Sequence, residues 1–528
     1  MTRWAMVADL RSCVGCQTCT AACKHTNATS PSVQWRRVLD IESGEFPDVR
    51  RTFVPVGCMH CEDPPCMHVC PSTATDRRPD GIVTIDYDLC IGCAYCAVAC
   101  PYQARYKVDK PVFSYGAGGQ MKNEAQREDP ARIGVAQKCT FCSERVDYGL
   151  ENGLTPGIDP EATPACVNSC IAEALHFGDL EEASSNVSTL LRENETFRMH
   201  QEVGTNSGFH YIWAANGQDD GSAQAYADTA CGSNDIGGAA PWLQQHWDWR
   251  AAGNFICGGT GSGLLIAAAL ASLMAIPVQL PILAGLGFVG LGLFLVWLET
   301  GRPLRAPLNV MKNINTSWMT RESLVAIPLF PLGLLAIYSG ATGLSLATGV
   351  IALGFVYCQA RIIKAARGIP AWRADEIVPL IVSSGLVEGF GLFTILLVIF
   401  TPVAVASNAA TWGGVVIVVT TIRAWAWSRY RQNLERDAPT GTKQALAGIS
   451  KTLALAGHGL PVIFAIAVLF DPAGASWIAL AAGLLMLGSG WLIKSVIILR
   501  AAYNQGFAIE RTPMRGNGGA GPGARPGY

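Results

Sequence analysis

Charge is scarce in this chain: Asp, Glu, Lys and Arg make up 15% of its 528 residues, against roughly a quarter in soluble domains. With 50% of the residues hydrophobic, that shortage excludes a disordered chain and a single soluble domain. Basic residues do not exceed acidic ones, 39 against 41, which excludes a nucleic-acid binder built on a basic surface. Histidine is rarer still. Of eight, only His458 lies in an apolar run, too few for a dihaem anchor, and no C-x-x-C-H run offers covalent attachment, so no haem is expected. Cysteine nearly vanishes beyond residue 250, where only Cys257 and Cys358 occur; these and Cys231 read as small buried residues. No twin-arginine pair or long apolar stretch opens the chain, so the cysteine-rich half is expected to stay in the cytoplasm.

What is present falls into unlike halves. Residues 1–250 carry 20 Lys and Arg with 32 Asp and Glu, whereas residues 251–528 carry 19 with 9. The expected fold is an α+β ferredoxin-like four-cluster domain over 1–180, then an all-α eight-helix transmembrane bundle over 251–511. Residues 181–250, rich in Ser, Asn, Gly and Asp, read as an irregular linker or docking segment, and 512–528 as a disordered tail with nothing apolar to bury. Eight apolar runs lie near 259–277, 281–299, 323–340, 343–364, 379–400, 411–430, 452–470 and 474–498. Each is long enough to cross about 30 Å of hydrocarbon as a helix.

The loops set the orientation. Those after the first, third, fifth and seventh runs contain no Lys or Arg, whereas the other three loops and their flanking helix ends hold fourteen, among them Arg302, Arg361 and Arg423. Positive residues mark the cytoplasmic side. Both termini and the cysteine half are therefore expected there, in a multi-pass protein of the bacterial inner membrane. Trp372, Trp412, Trp425, Trp427, Tyr430 and Trp477, at helix ends, suggest an interfacial aromatic belt.

Sixteen cysteines form four quartets: Cys13-x2-Cys16-x2-Cys19-x3-Cys23, Cys58-x2-Cys61-x4-Cys66-x3-Cys70, Cys90-x2-Cys93-x2-Cys96-x3-Cys100, and Cys139-x2-Cys142 with Cys166-x3-Cys170. The third, followed by Pro101, matches the bacterial ferredoxin run. Structural zinc uses pairs separated by a longer spacer, and disulfides do not suit a reducing compartment. Four [4Fe–4S] clusters are the expectation. Because the last cysteine of such a run serves the other cube, the expected ligand sets are Cys13, Cys16, Cys19 with Cys170; Cys139, Cys142, Cys166 with Cys23; Cys58, Cys61, Cys66 with Cys100; and Cys90, Cys93, Cys96 with Cys70. Cubes in series move single electrons, and without haem the exchangeable partner in the bilayer is a quinone.

Polar residues inside spans are costly, about 2.5–3.5 kcal/mol at mid-membrane, and so mark candidate sites. Seven stand out: Glu299, Arg302, Arg361, Glu388, Arg423, His458 and Lys494. Glu299, Arg302, Glu388 and His458 are the candidate quinone site, with Glu299 or His458 exchanging protons and Arg302 polarising a carbonyl. Structural readings stand beside these: Lys494 snorkelling to the interface, and Glu388 bridging helices or pairing with an arginine.

Gly57-Cys58-Met59-His60-Cys61-Glu62-Asp63-Pro64-Pro65-Cys66, Ile91–Cys96 and Cys100-Pro101-Tyr102 resemble the four-cluster ferredoxin subunit of dimethyl sulfoxide reductase-type molybdenum enzymes. Gly301-Arg302-Pro303, Ser317–Glu322 and Tyr503–Ala508 resemble the eight-helix anchor subunit of the same enzymes, here fused to the first. Many such anchors read His-Leu-Gly where this chain reads Glu299-Thr300-Gly301, which makes Glu299 the replacement for that histidine. The resemblance implies a non-catalytic electron-transfer and anchoring subunit, with the molybdenum cofactor in a separate catalytic partner and electrons passed into the quinone pool, as in anaerobic respiration. A stand-alone ferredoxin:quinone reductase and a redox-driven ion-translocating module are the alternatives.

Overall fold

The computed structural model describes residues 2–111, 113, 119, 121–127, 129–218, 237–470, 475–514 and 521–528. The chain forms an N-terminal α+β unit and an all-helical unit with eight membrane-length apolar helices. One compact unit comprises Met1–Trp242 with Asn504–Tyr528, and the other Leu243–Tyr503.

The first unit is built on the strand Trp4–Asp9, six buried residues in a row. Such an unbroken apolar run suits a strand covered on both faces. It pairs antiparallel with Leu175–Asp179 and parallel with Phe209–Ala215, and Asn194–Phe197 completes the four-stranded sheet. Trp4, Met6 and Ala8 turn into the core that also holds Cys19, Cys23, Phe177 and Tyr211. Val7 and Ile212 turn to the other face, against the helix Asn186–Glu193 through Val187. That helix starts at Ser185, whose hydroxyl oxygen accepts from Ser188 N at 3.2 Å.

Two expectations change here. The segment after residue 180 is not an irregular linker: Phe209–Ala215 lies inside the sheet, all but Ala215 buried. Its apolar seven-residue run was averaged away by the Ser- and Asn-rich residues around it. Nor is the whole tail disordered. Ile509–Thr512 pairs antiparallel with Gly521–Ala524, and Ile509 and Ala524 are buried in the first unit's core. A glycine-rich stretch cannot build a core but can lend its backbone to one; a Cβ on Gly523 would lie 2.2 Å from Glu510 O. Cys231 lies outside the described residues.

In the second unit the first span, Trp249–Ser272, is the most buried. Its glycines admit four different neighbouring spans. A Cβ on Gly258 would meet Gln359 of the fourth span, Thr342–Ala365; one on Gly259, Lys494 of the eighth, Ala475–Leu499. Gly261 abuts Gly285 O of the second span, Gln279–Glu299, and Gly263 abuts Gly385 O of the fifth, Ile377–Phe400. Small residues let helix backbones approach where no hydrophobic force separates protein from lipid. The third and sixth spans are Trp318–Ser339 and Ala409–Asp437. The seventh begins at Thr440, earlier than its apolar run, and carries a π-helical stretch over Leu453–Gly459.

The aromatic belt is only partly present. Trp425 and Trp477 are exposed, but Trp372 and Tyr430 are fully buried. Trp372 stacks on Trp247 and donates its indole N–H to Ile497 O at 3.0 Å, while the Tyr430 hydroxyl donates to Ala371 O at 2.9 Å. Once helices pack, their polar tips find backbone carbonyls in place of headgroups.

Candidate metal centre

The first Cys-x-x-Cys turn of each quartet shares one backbone feature. The residue before the second cysteine is left-handed in each: Gly15 (φ 71°), His60 (φ 40°), Gly92 (φ 69°) and Phe141 (φ 55°). Such turns aim successive backbone N–H groups into a concavity that receives an anion. Glycine adopts this without cost, whereas a side chain costs about 1–2 kcal/mol. His60 and Phe141 stack on one another with ring centroids 3.7 Å apart. The spacing announced the turns; a histidine and a phenylalanine in the glycine role carried no sequence signal.

The buried thiols act on one another in overlapping sets. Burial pushes the Cys19 thiol up to about 11, against the pull of Arg36, and Cys166, Cys13 and Cys170 add to the rise. Cys23 is pushed up by burial and then by Cys139, Cys166 and Cys142. Cys61 rises through burial, Cys66, Cys58 and Cys100. Cys93 rises through burial, Cys96, Cys70 and Cys90. These influences also link one quartet of the sequence to another: Cys166 acts on Cys19, Cys58 on Cys139, and Cys96 on Cys66. The first quartet reaches the surface. Cys16 is exposed, and Val14 and Ile171 beside it are exposed apolar residues.

Donors point at these sulfurs. Arg105 Nη2 donates to Cys66 Sγ at 3.0 Å, Ala174 N to Cys170 Sγ at 3.2 Å, and Phe141 N to Cys139 Sγ at 3.4 Å. Soft sulfur ligands held among N–H donors and buried cations fit thiolates bound to iron–sulfur clusters rather than neutral thiols. Cys257 and Cys358 are buried singly inside the helical unit.

The polar residues of the spans do not form one site. Glu299, at the end of the second span, accepts from Asp248 N at 3.4 Å, beside the start of the first span. Glu388 accepts from Thr260 Oγ1 at 2.8 Å, twelve residues further along that first helix and so about 18 Å away. A single head-group cannot touch both, so the four-residue site expected from the sequence is divided. Counting along one span cannot reveal which level of its neighbour a side chain meets.

At the deeper level Lys494 does not snorkel. It is fully buried, pairs with Glu388 at 2.8 Å and donates to Phe255 O at 3.0 Å. Arg423, also buried, donates from Nη2 to Gly457 O and, at 2.9 Å, to Ser489 Oγ, which brings it beside His458. Arg302 is half-buried next to Glu299 in sequence, and Arg361 lies over the Trp318 ring at 4.5 Å. Glu322 did not stand out from the sequence, yet it is buried and hydrogen-bonded to Gln359. An acidic residue in the opening turns of an apolar helix was its signal.

Residues 49–114 match the family model of a 4Fe-4S dicluster domain. A selenate reductase subunit of Mesobacillus selenatarsenatis is 38% identical over 226 residues, 40% of this chain and 72% of that protein. A sulfite dehydrogenase subunit of Allochromatium vinosum is 36% identical over 230 residues, 40% of this chain and 83% of that protein. The arsenate respiratory reductase iron–sulfur subunit of a Shewanella species is 34% identical over 236 residues, 40% of this chain and 96% of that protein.

Proposed function

The chain belongs to the family of iron–sulfur subunits of oxidoreductase complexes, and from that we propose that it carries electrons between a separate molybdenum-containing catalytic subunit and the membrane quinone pool. Electron transfer and membrane anchoring are its general role: an iron–sulfur domain is fused to eight membrane-length apolar helices. In this reading the sixteen cysteines hold four [4Fe–4S] clusters, in the sets Cys13, Cys16, Cys19, Cys170; Cys139, Cys142, Cys166, Cys23; Cys58, Cys61, Cys66, Cys100; and Cys90, Cys93, Cys96, Cys70. When bound, the clusters supply one-electron transfer.

The linked thiols carry this reading, with Cys16 exposed among them. Val14 and Ile171 make that surface apolar, which suits a protein partner presenting an electron donor. At the membrane, Glu299 and Arg302 are the quinone residues: the carboxylate takes or gives the proton of a quinol hydroxyl, and the guanidinium holds a carbonyl oxygen. Glu299 lies at the end of the second span, beside the start of the first. Glu388 with Lys494 is a structural pair. Quinone reduction is the favoured direction, with a donor substrate oxidised by the catalytic partner, as the name sulfite dehydrogenase indicates for one relative.

Two measurements test this. The anaerobically purified protein should contain about sixteen iron atoms per chain and no haem band; half that iron would overturn the four-cluster reading. Glu299→Gln should abolish quinone-linked turnover of the complex while dye-linked turnover survives. Normal quinone rates in that variant would place the site elsewhere.

A further inference from the structure

Three fully buried cations each act on cysteines of two of the sets assigned above. Arg36 opens the hairpin Arg36–Ser43/Arg50–Gly57 opposite Gly57, whose missing Cβ leaves room for it. Its charge acts on Cys166, Cys139, Cys19 and Cys23, members of the first and second groups. Lys138 donates to Val83 O and, at 2.8 Å, to Cys139 O, and acts on Cys58, Cys139 and Cys66 of the second and third groups. Arg105 donates to Cys66 Sγ at 3.0 Å and Thr75 Oγ1 at 2.9 Å, and acts on Cys66, Cys96, Cys58 and Cys100 of the third and fourth.

Their side chains are almost wholly excluded from solvent, at 1%, 1% and 2% exposure. Among the described residues none of the three is ion-paired with a carboxylate. Among the described residues Arg36 Nε and Nη1 are buried without a hydrogen-bond partner, while Nη2 meets the sulfur of Met6 at 3.0 Å and the guanidinium lies over the Phe209 ring at 4.9 Å. A buried cation so placed needs an anion, and among the described residues the cysteines beside it are the groups that can become one.

We propose that Arg36, Lys138 and Arg105 are potential-setting residues, each stabilising the added electron on both of its two clusters, so that neighbouring clusters hold electrons together instead of excluding one another. This rests on the assignment of four clusters above. The step adds one electron to a cluster and no proton, and the three cations stay charged before and after. Adding negative charge to a site beside a fixed positive one in a poorly screened interior is favoured, and the same cation offsets the repulsion from its other neighbour. A merely structural cation would not tie each change to two particular clusters.

The test is potentiometric titration of the complete, cluster-loaded protein, followed by electron paramagnetic resonance. Arg36→Met, Lys138→Met and Arg105→Met each keep the bulk and remove the charge. Each should shift two clusters at least tenfold towards the oxidised form, about 59 mV lower for one electron: the first and second, the second and third, and the third and fourth respectively. Arg105→Lys should retain most of the wild-type potentials. Unchanged potentials at full iron content overturn the proposal, as does an equal shift of all four clusters in every variant. The three variants report on different cluster pairs, so one that fails to assemble leaves two independent tests. A wild-type protein holding fewer than four clusters overturns the cluster assignment itself, which iron analysis of the same sample distinguishes.

Discussion

Lys494 and Glu388 are held 2.8 Å apart with no side-chain exposure on either partner. Two glycines make this possible: a Cβ on Gly259 would lie 1.9 Å from Lys494 Nζ, and one on Gly490 2.2 Å from Glu388 Cγ. Removing one partner strands the other charge in a dry interior, so Lys494→Met alone should cost about 3–5 kcal/mol. The double variant Lys494→Met, Glu388→Leu should recover most of that, since the pair's attraction mainly offsets its own desolvation. Thermal unfolding in detergent measures both, and equal losses in the two would show that the charges are not the point. His210 supplies a second residue-scale test, in the cysteine unit. Burial, helped by Arg198 and Arg3, holds its imidazole down at about 4, below the ordinary value near 6.5. The folded form thus stays neutral where the unfolded chain takes a proton. Stability contributed by His210 is complete above about pH 6.5 and is lost as pH falls towards 4, by at most about 1.4 kcal/mol per pH unit. The unfolding midpoint of His210→Gln should therefore fall less steeply than wild type between about pH 6.5 and 4.5.

Among the elements, the first span acts as the hub because its glycines face separate neighbours. Gly263 and Gly389 meet backbone to backbone: a Cβ on Gly263 would lie 2.0 Å from Gly385 O, and one on Gly389 2.0 Å from the carbonyl carbon of Gly263. No rotamer change relieves a clash with backbone, so Gly263→Val should separate the first and fifth spans and prevent a stable helical unit. Gly287→Val, where nothing lies within 4 Å, is the matched control. Detergent-solubilised yield and size-exclusion profiles distinguish the two. The spans themselves were legible as uninterrupted apolar runs, because crossing hydrocarbon dictates their length. The seventh was not bounded correctly: its opening turns, Thr440–Lys451, are polar enough to read as loop yet continue the helix. The strand Phe209–Ala215 was missed for the opposite reason, since a short apolar run inside polar sequence gains its identity only from the strand it pairs with, Trp4–Asp9.

For the whole molecule, the loop charges predict an orientation. Leu243 and Tyr503, the two ends of the helical unit, form an antiparallel bridge, as an even number of crossings requires. Fourteen Lys and Arg on alternate loops against none on the others predict that both ends face the cytoplasm. A reporter fused after Tyr528 should therefore be active only as a cytoplasmic reporter, and one placed between Thr401 and Thr411 only as a periplasmic one. The reverse pattern would overturn the orientation and the compartment of the cysteine unit together.

Cysteine spacing and the length of apolar runs are local properties, so reading along the chain was enough to join an iron–sulfur domain to eight membrane-length apolar helices. Charge counting between spans is local too. The influence of Cys58 on Cys139, which links the second quartet to the fourth, emerged only on folding, because it depends on how distant turns come together. Folding also brought Arg105 onto Cys66, gave the expected tail a strand paired with Ile509–Thr512, and separated Glu299 from Glu388 along the first span. The cause is the same in each case. A buried charge or an unpaired strand is costly until a partner from elsewhere in the chain meets it, and no window of sequence contains that partner.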